Sequence, residues 1–225
     1  MTQMHLVHPR PDAVLFDCDG VIADSETVIA RVLAEEITAL GWPMTVEEEQ
    51  KRFQGMTGAM LNEALVARVG PLPEGWRKRV GQRISAALHA ELEPVPGVID
   101  AIRSLHAHGV PMAVASNSGR EELHYKIAHL GLTEIFAGRV FSHQDVAQPK
   151  PAPDLYLAAA SSCGMHPARC AVVEDTAMGI RAGIAAGCRV LGYARHETPG
   201  LRESGAELFT DMSRLPRLLG FAEAS

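Results

Sequence analysis

Four short stretches of this chain carry side chains that can do chemistry together. The first is Asp17-Cys18-Asp19-Gly20, which closes the apolar run Ala13 to Phe16. Two carboxylates one residue apart repel each other unless a cation or a shared proton lies between them. The pair therefore fits a metal site, a catalytic acid pair, or both, and it also fits an acidic turn after a strand. The full ligand pattern of a calcium loop is not completed here. The other three stretches are Ser116-Asn117-Ser118-Gly119 after an apolar run, Lys150 between Pro149 and Pro151, and Glu174-Asp175 after Ala171-Val172-Val173. Each has a plain alternative: a helix cap, a loop charge, and acids that complement a helix dipole. Their joint appearance after apolar runs is the informative feature, because strand ends of an open parallel sheet converge on one crevice.

The chemistry this set suggests is phosphoryl transfer. Asp17 can attack phosphorus and form an aspartyl phosphate. A magnesium ion would draw oxygens from Asp17, the backbone carbonyl of Asp19 and Asp175, with Glu174 nearby. The ion lets an anionic nucleophile approach an anionic ester. Ser116, Asn117 and neighbouring N–H groups can hold phosphoryl oxygens, and Lys150 can neutralise charge on nucleophile and phosphate. Asp19 can protonate the leaving oxygen and then deprotonate the hydrolytic water. Cys18 is read as core packing, since flanking carboxylates blunt a thiolate and its side chain alternates away from both acids.

These residues need elements to position them. Ala13 to Phe16 reads as a buried strand. Asp24-Ser25-Glu26 reads as a helix start with a capping side chain, and apolar residues from Val28 to Leu40 recur at helical spacing until Gly41. Helices are also expected at 46–53, 59–69 and 74–92, with no good strand in this region. After Pro94 and Pro96 the pattern alternates. Helices are expected at 97–108, 120–130, 153–163 and 176–186, and strands at 111–116, 139–142, 170–174, 189–193 and 207–210, before a terminal helix. Alternating strands and helices imply a parallel sheet with right-handed crossovers. The expected fold is α/β: a doubly wound, Rossmann-like parallel sheet core of residues 1–22 and 94–225, with an α-helical cap of residues 23–93 inserted into it.

Composition narrows the function classes. With 225 residues, 47% hydrophobic and 21% charged, the chain can bury one large core or a core with an insertion. A net charge of −6 argues against nucleic acid or an anionic membrane as partner, and Arg77-Lys78-Arg79 with Arg83 reads as a solvated helix face. Four cysteines without a C-x-x-C pair suit reduced thiols in a cytoplasm. No signal core or membrane-spanning run is expected. The histidines, His106, His108, His124 and His129 among them, show no metal-binding spacing.

The ordered set D-C-D-G-V, S-N-S, K-P-x-P-D and V-V-E-D resembles the haloacid dehalogenase superfamily of magnesium-dependent phosphohydrolases, along essentially the whole chain. Within it, Asp24-Ser25-Glu26 and Arg52-Phe53-Gln54-Gly55 resemble sugar-phosphate phosphatases of the phosphogluconate type. The resemblance implies catalytic Asp17, Asp19 and Lys150. It implies metal binding by Asp17, Asp19, Glu174 and Asp175, and phosphate contacts from Ser116 and Asn117. Arg120 falls where the family often meets the distal end of the substrate, and its alternative is a first-turn helix charge. Gly55, Met56 and Thr57 are expected at the cap side of the site. The implied substrate is a small phosphorylated metabolite, a sugar phosphate or sugar-acid phosphate such as phosphogluconate, handled by a monomer or small homo-oligomer.

The related β-phosphoglucomutases, which are the alternative reading, have basic groups where this chain has Ile29, Gln54 and Gly58. Further rivals are a haloacid dehalogenase, which needs neither the second acid nor the metal, a phospho-signalling receiver domain, and an inactive binding module.

Overall fold

The computed structural model describes residues 9–53, 56, 58–195 and 200–221. They form two compact units: one of residues up to Ile22 together with those from Val95 on, the other Ala23–Pro94. Among the described residues, no helix is long and apolar enough to cross a membrane.

The Ala23–Pro94 unit is helical. It contains α1 (Ser25–Ala39), α2 (Val46–Phe53), α3 (Gly58–Val69) and α4 (Trp76–Glu91). Its own core is Leu33 and Ile37 of α1, Phe53 of α2, Leu65 of α3, and Trp76 and Val80 of α4. Gly41 ends the first helix with φ of +90°, a conformation that glycine adopts without a Cβ penalty. Asp24 stands at the N-cap of α1, but its side chain makes no capping hydrogen bond, contrary to the expectation. Its backbone N–H instead donates to the Glu93 carbonyl at 2.9 Å, and Ala23 bridges Pro94. The two ends of the unit are thus paired to each other. The basic face of α4 is exposed, with Arg83 bridging Glu35 and Glu36 of α1.

The other unit is built on six parallel strands: β1 (Ala13–Phe16), β2 (Met112–Ala115), β3 (Val140–Phe141), β4 (Cys170–Glu174), β5 (Arg189–Tyr193) and β6 (Glu207–Phe209). Their order is β3-β2-β1-β4-β5-β6. β1 is central, with Val14 beside Met112 on one side and Ala171 on the other. All four residues of β1 and of β2 and all five of β4 are buried, as expected of strands covered on both faces. The helices α5 (Val98–Ala107), α6 (Arg120–His129), α7 (Thr133–Phe136), α8 (Asp154–Ser162), α9 (Ala177–Ala185) and α10 (Leu215–Leu218) fill the connections. Strand order reverses between β1 and β4, the switch point at which open α/β sheets leave a crevice at the strand carboxyl ends.

The expected elements recur, some with the same bounds and most with shorter ends, and two differences stand out. The single turn α7 gives no periodic signal over four residues, and it stops at Ala137 with φ of +45°. The terminal helix is one turn, preceded by a 3-10 turn at Met212–Arg214 that Asp211 caps.

Candidate active site

The crevice is built from the ends of β1, β2 and β4 and the loop that carries Lys150. Beyond Phe16 the chain stays extended for one residue, the Asp17 N–H donating to the Val173 carbonyl at 3.0 Å. It then turns at Gly20, whose φ is +75°. A Cβ on Gly20 would lie 1.9 Å from Asp175 Oδ2, so only glycine lets the first loop approach the end of β4 this closely.

Lys150 is 4% exposed and holds two acids at once. Its Nζ donates to Asp17 Oδ1 at 2.5 Å and Glu174 Oε1 at 2.7 Å, and it lies 4.6 Å from the centre of the Tyr156 ring. The Tyr156 hydroxyl, from α8, donates to the same Glu174 oxygen at 3.0 Å. The second oxygen, Oε2, accepts from the Asp175 and Thr176 N–H groups and from Thr176 Oγ1. Both Glu174 oxygens thus help to organise Lys150 and the turn into α9.

The two acids respond differently. Burial pushes Asp17 up to about 7; Lys150 pulls it down, and Glu174 and Asp19 add to the rise. Glu174 is also buried, but Lys150 and Thr176 hold it below its ordinary value. Tyr156 is pushed up by burial and by Glu174, so it remains a donor.

Asp19 takes a different set of partners. Its Oδ1 accepts from Lys126 Nζ at 2.5 Å and its Oδ2 from Ser118 Oγ at 2.6 Å. The Asp19 carboxylate stands outside the acidic cluster, which among the described residues consists of Asp17, Glu174 and Asp175, with ligand oxygens within 4.8 Å of one another. The first stretch therefore delivers two acids to two environments. Cys18 between them is fully buried, and burial and Asp19 push its thiol well up.

Ser116 is 2% exposed, and its Oγ accepts from the Ser118 N–H at 3.0 Å. The Asn117 amide is largely engaged: Oδ1 accepts from the Lys150 N–H at 3.0 Å and Nδ2 donates to the Lys150 carbonyl at 3.1 Å. That pair of hydrogen bonds ties down the lysine loop, in which the Lys150–Pro151 peptide is cis. Arg120 is half-exposed and pairs with Asp145 at 2.5 Å. Met56 belongs to the helical unit and is exposed. Gly55 and Thr57 lie outside the described residues.

The donor set fits a hard divalent cation. Three carboxylates within 4.8 Å offer oxygens only, and a cation stabilises their ionised forms. No histidine or cysteine joins the group among the described residues.

Residues 11–187 match the model of the haloacid dehalogenase-like hydrolases. The chain belongs to that family. This hydrolase is 28% identical to the 6-phosphogluconate phosphatase of Escherichia coli over 213 residues, 93% of this chain and 95% of the relative. It is 29% identical to the fructose-1-phosphate phosphatase YqaB of the same organism, over 80% of this chain and 95% of the relative. Among solved structures, a family hydrolase from Deinococcus radiodurans with bound phosphate and sodium superposes with a TM-score of 0.85 at 31% identity, covering 97% of this chain and all of that one.

Sequence reasoning passes over three residues of this hydrolase's candidate site: Ser118, Lys126 and Tyr156. Ser118 was visible only as part of the S-N-S turn. Lys126 left a faint signal, since it lies three residues from Leu123 and beside Ile127, on the apolar side of α6. All three of those α6 residues are buried. Tyr156 gave none, because an aromatic residue in a helix after a proline-rich loop reads as core.

Proposed function

We propose that this hydrolase is a magnesium-dependent phosphatase that acts on a small phosphorylated metabolite, a sugar phosphate or sugar-acid phosphate, through an aspartyl phosphate on Asp17. The observation that carries the reading is the division of labour at the end of β1. Asp17 sits in the acidic cluster with Lys150, while Asp19 is held apart by separate donors. A nucleophile and a proton donor placed in one crevice but in different surroundings is what two-step phosphoryl transfer needs. Relatives named as phosphatases of 6-phosphogluconate and fructose 1-phosphate support the sugar-phosphate class.

Asp17 and Asp175 would hold the ion, with the Asp19 carbonyl as a further ligand and Glu174 as the acid that orders its neighbours. Bound there, magnesium supplies charge neutralisation for an anionic nucleophile meeting an anionic phosphate. Lys150 keeps one oxygen of Asp17 fixed and leaves the other to attack. Ser116 and the N–H groups of the turn at 117–119 receive phosphoryl oxygens. Asp19 gives a proton to the leaving oxygen and takes one from the attacking water.

The test is a phosphate-release screen over sugar phosphates, sugar-acid phosphates, phosphoglycolate and nucleotides, with and without magnesium. It is run on the wild type and Asp17→Asn, with sugar products analysed for isomerisation. Magnesium-dependent release is expected, falling by roughly 10³-fold or more in the variant. Full activity in D17N, or no release from any ester by folded wild type, overturns the reading. An isomerised sugar phosphate in place of free phosphate makes the enzyme a mutase.

A further inference from the structure

We propose that Lys126 is the positioning residue for Asp19, the counterpart for the acid of what Lys150 is for the nucleophile. The inference rests on the assignment of Asp19 as proton donor and acceptor. Lys126 projects from the second turn of α6 and is 2% exposed, which is unusual for a lysine unless an inward-lying acid holds it. It has two partners, Asp19 Oδ1 and Glu122 Oε1, each at 2.5 Å. Glu122 does not account for the burial. Its side chain is 48% exposed and precedes the lysine by four residues, so the same pair forms on an open helix face. Asp19 accounts for it, since reaching that carboxylate requires the lysine to run inward beside Leu123 and Ile127.

The geometry fixes a plane as well as a place. Lys126 holds one carboxylate oxygen of Asp19, and Ser118 Oγ holds the other at 2.6 Å. The donors come from two segments, the helix and the turn after β2, and Ser118 is itself tied through its N–H to Ser116. A carboxylate anchored at both oxygens has lost rotation about its last bond. Misplacement of a reacting group by about 1 Å can cost on the order of 10²-fold in rate, so such an anchor matters where a proton must be passed.

The steps served are these. An Asp17 oxygen forms a bond to phosphorus, the phosphorus–ester oxygen bond breaks, and the leaving oxygen takes the Asp19 proton. Water then attacks phosphorus, its proton passes to Asp19, and the phosphorus–Asp17 bond breaks to release phosphate.

The experiment compares wild type, Lys126→Met, Asp19→Asn and the double variant, all with magnesium, on an alkyl phosphate and on p-nitrophenyl phosphate. The aryl leaving group departs without a proton, so only the second step then needs Asp19. K126M should keep a burst of about one p-nitrophenolate per site, followed by turnover slowed roughly 30- to 100-fold, with KM within about threefold of wild type. On the alkyl ester it should be slowed at least as much and show no burst. In the D19N background K126M should cost no more than about threefold further, since the two residues act as one unit.

K126M with wild-type turnover, or an equal loss with and without Asp19, overturns the proposal. Loss of the aryl burst in step with turnover does the same, because it marks a general structural role. Should K126M fail to fold, Ser118→Ala removes the other anchor and should show the same pattern at about 3- to 10-fold; S118A at wild-type rate on both esters counts against it. The failure of the parent reading looks different: D19N then turns over at the wild-type rate.

Discussion

Glu49 lines a recess of the helical unit whose walls are Ile29, Leu33, Phe53 and Leu61, with Glu26 as its acidic neighbour. The residue is 5% exposed, and burial, reinforced by Glu26, pushes its carboxyl from 4.5 up to about 7. Lys150 shows the opposite treatment of a buried charge, because two acids and a tyrosine ring surround it. The linkage for Glu49 has a definite sign. Between pH 4.5 and 7 the folded chain binds a proton that the unfolded chain has released, so stability falls as pH rises through that window and levels off above it. Glu49→Gln, neutral at every pH, removes the loss. Its melting temperature should exceed that of the wild type at pH 8 by at least about 2–4 °C, equivalent to about 1 kcal/mol in a chain of this size. The gap should narrow as pH falls from 7 toward 5, as read by thermal melts across that range. A gap that does not vary with pH counts against the buried acid.

Among the elements, α9 is the one whose sequence is dictated by the site. Gly179 in its first turn lies against Glu174, where an added Cβ would stand 1.6 Å from Oε1 and 2.0 Å from the carboxyl carbon. Gly183, one turn on, lies against β5, where a Cβ would meet Val190 Cγ2 at 2.9 Å. Helix propensity favours alanine over glycine by about 1 kcal/mol, but a clash with a buried, fully hydrogen-bonded carboxylate outweighs it. Gly179→Ala should therefore destabilise the protein by about 2–3 kcal/mol in urea unfolding. It should also depress phosphatase turnover, because Glu174 holds Lys150. Gly81 in α4 is the control. Nothing lies within 4 Å of its missing Cβ and it is exposed, so Gly81→Ala should stabilise by about 0.5–1 kcal/mol. If both glycines respond alike, packing is not what separates them.

At the scale of the whole molecule, the helical unit is an insertion with its own core, entered and left at one point. The Val95 N–H donates to the Ile22 carbonyl at 2.9 Å, so the α/β unit already has the two chain ends side by side. Joining Ile22 to Val95 through a linker of about four residues adds little closure entropy. A chain with residues 23–94 replaced in this way should fold, with a mixed α/β circular dichroism spectrum and a single cooperative melt. A spectrum without a cooperative transition shows instead that the α/β unit depends on the insertion.

Much of this protein is decided by local sequence. Apolar runs such as Ala13 to Phe16 and Cys170 to Val173 become buried strands because a parallel sheet covers both faces, and a run of that length has few other ways to bury itself. The Asp17-Cys18-Asp19-Gly20 turn is legible for the same reason, since its chemistry is complete within a few residues of a recognisable strand end. The family likeness was readable from the four motifs in order. Tertiary structure decided the partners. Asp17 and Asp19 are near neighbours in sequence, yet one is held by Lys150 and the other by Lys126, residues 133 and 107 positions further along the chain. The same applies to Asn117, whose side-chain amide bonds the Lys150 backbone 33 positions further on. Charge and hydrogen-bond pairing across a sheet depends on which strand ends the topology brings together. The strand order, with β2 and β4 on either side of β1, decides which of those ends meet.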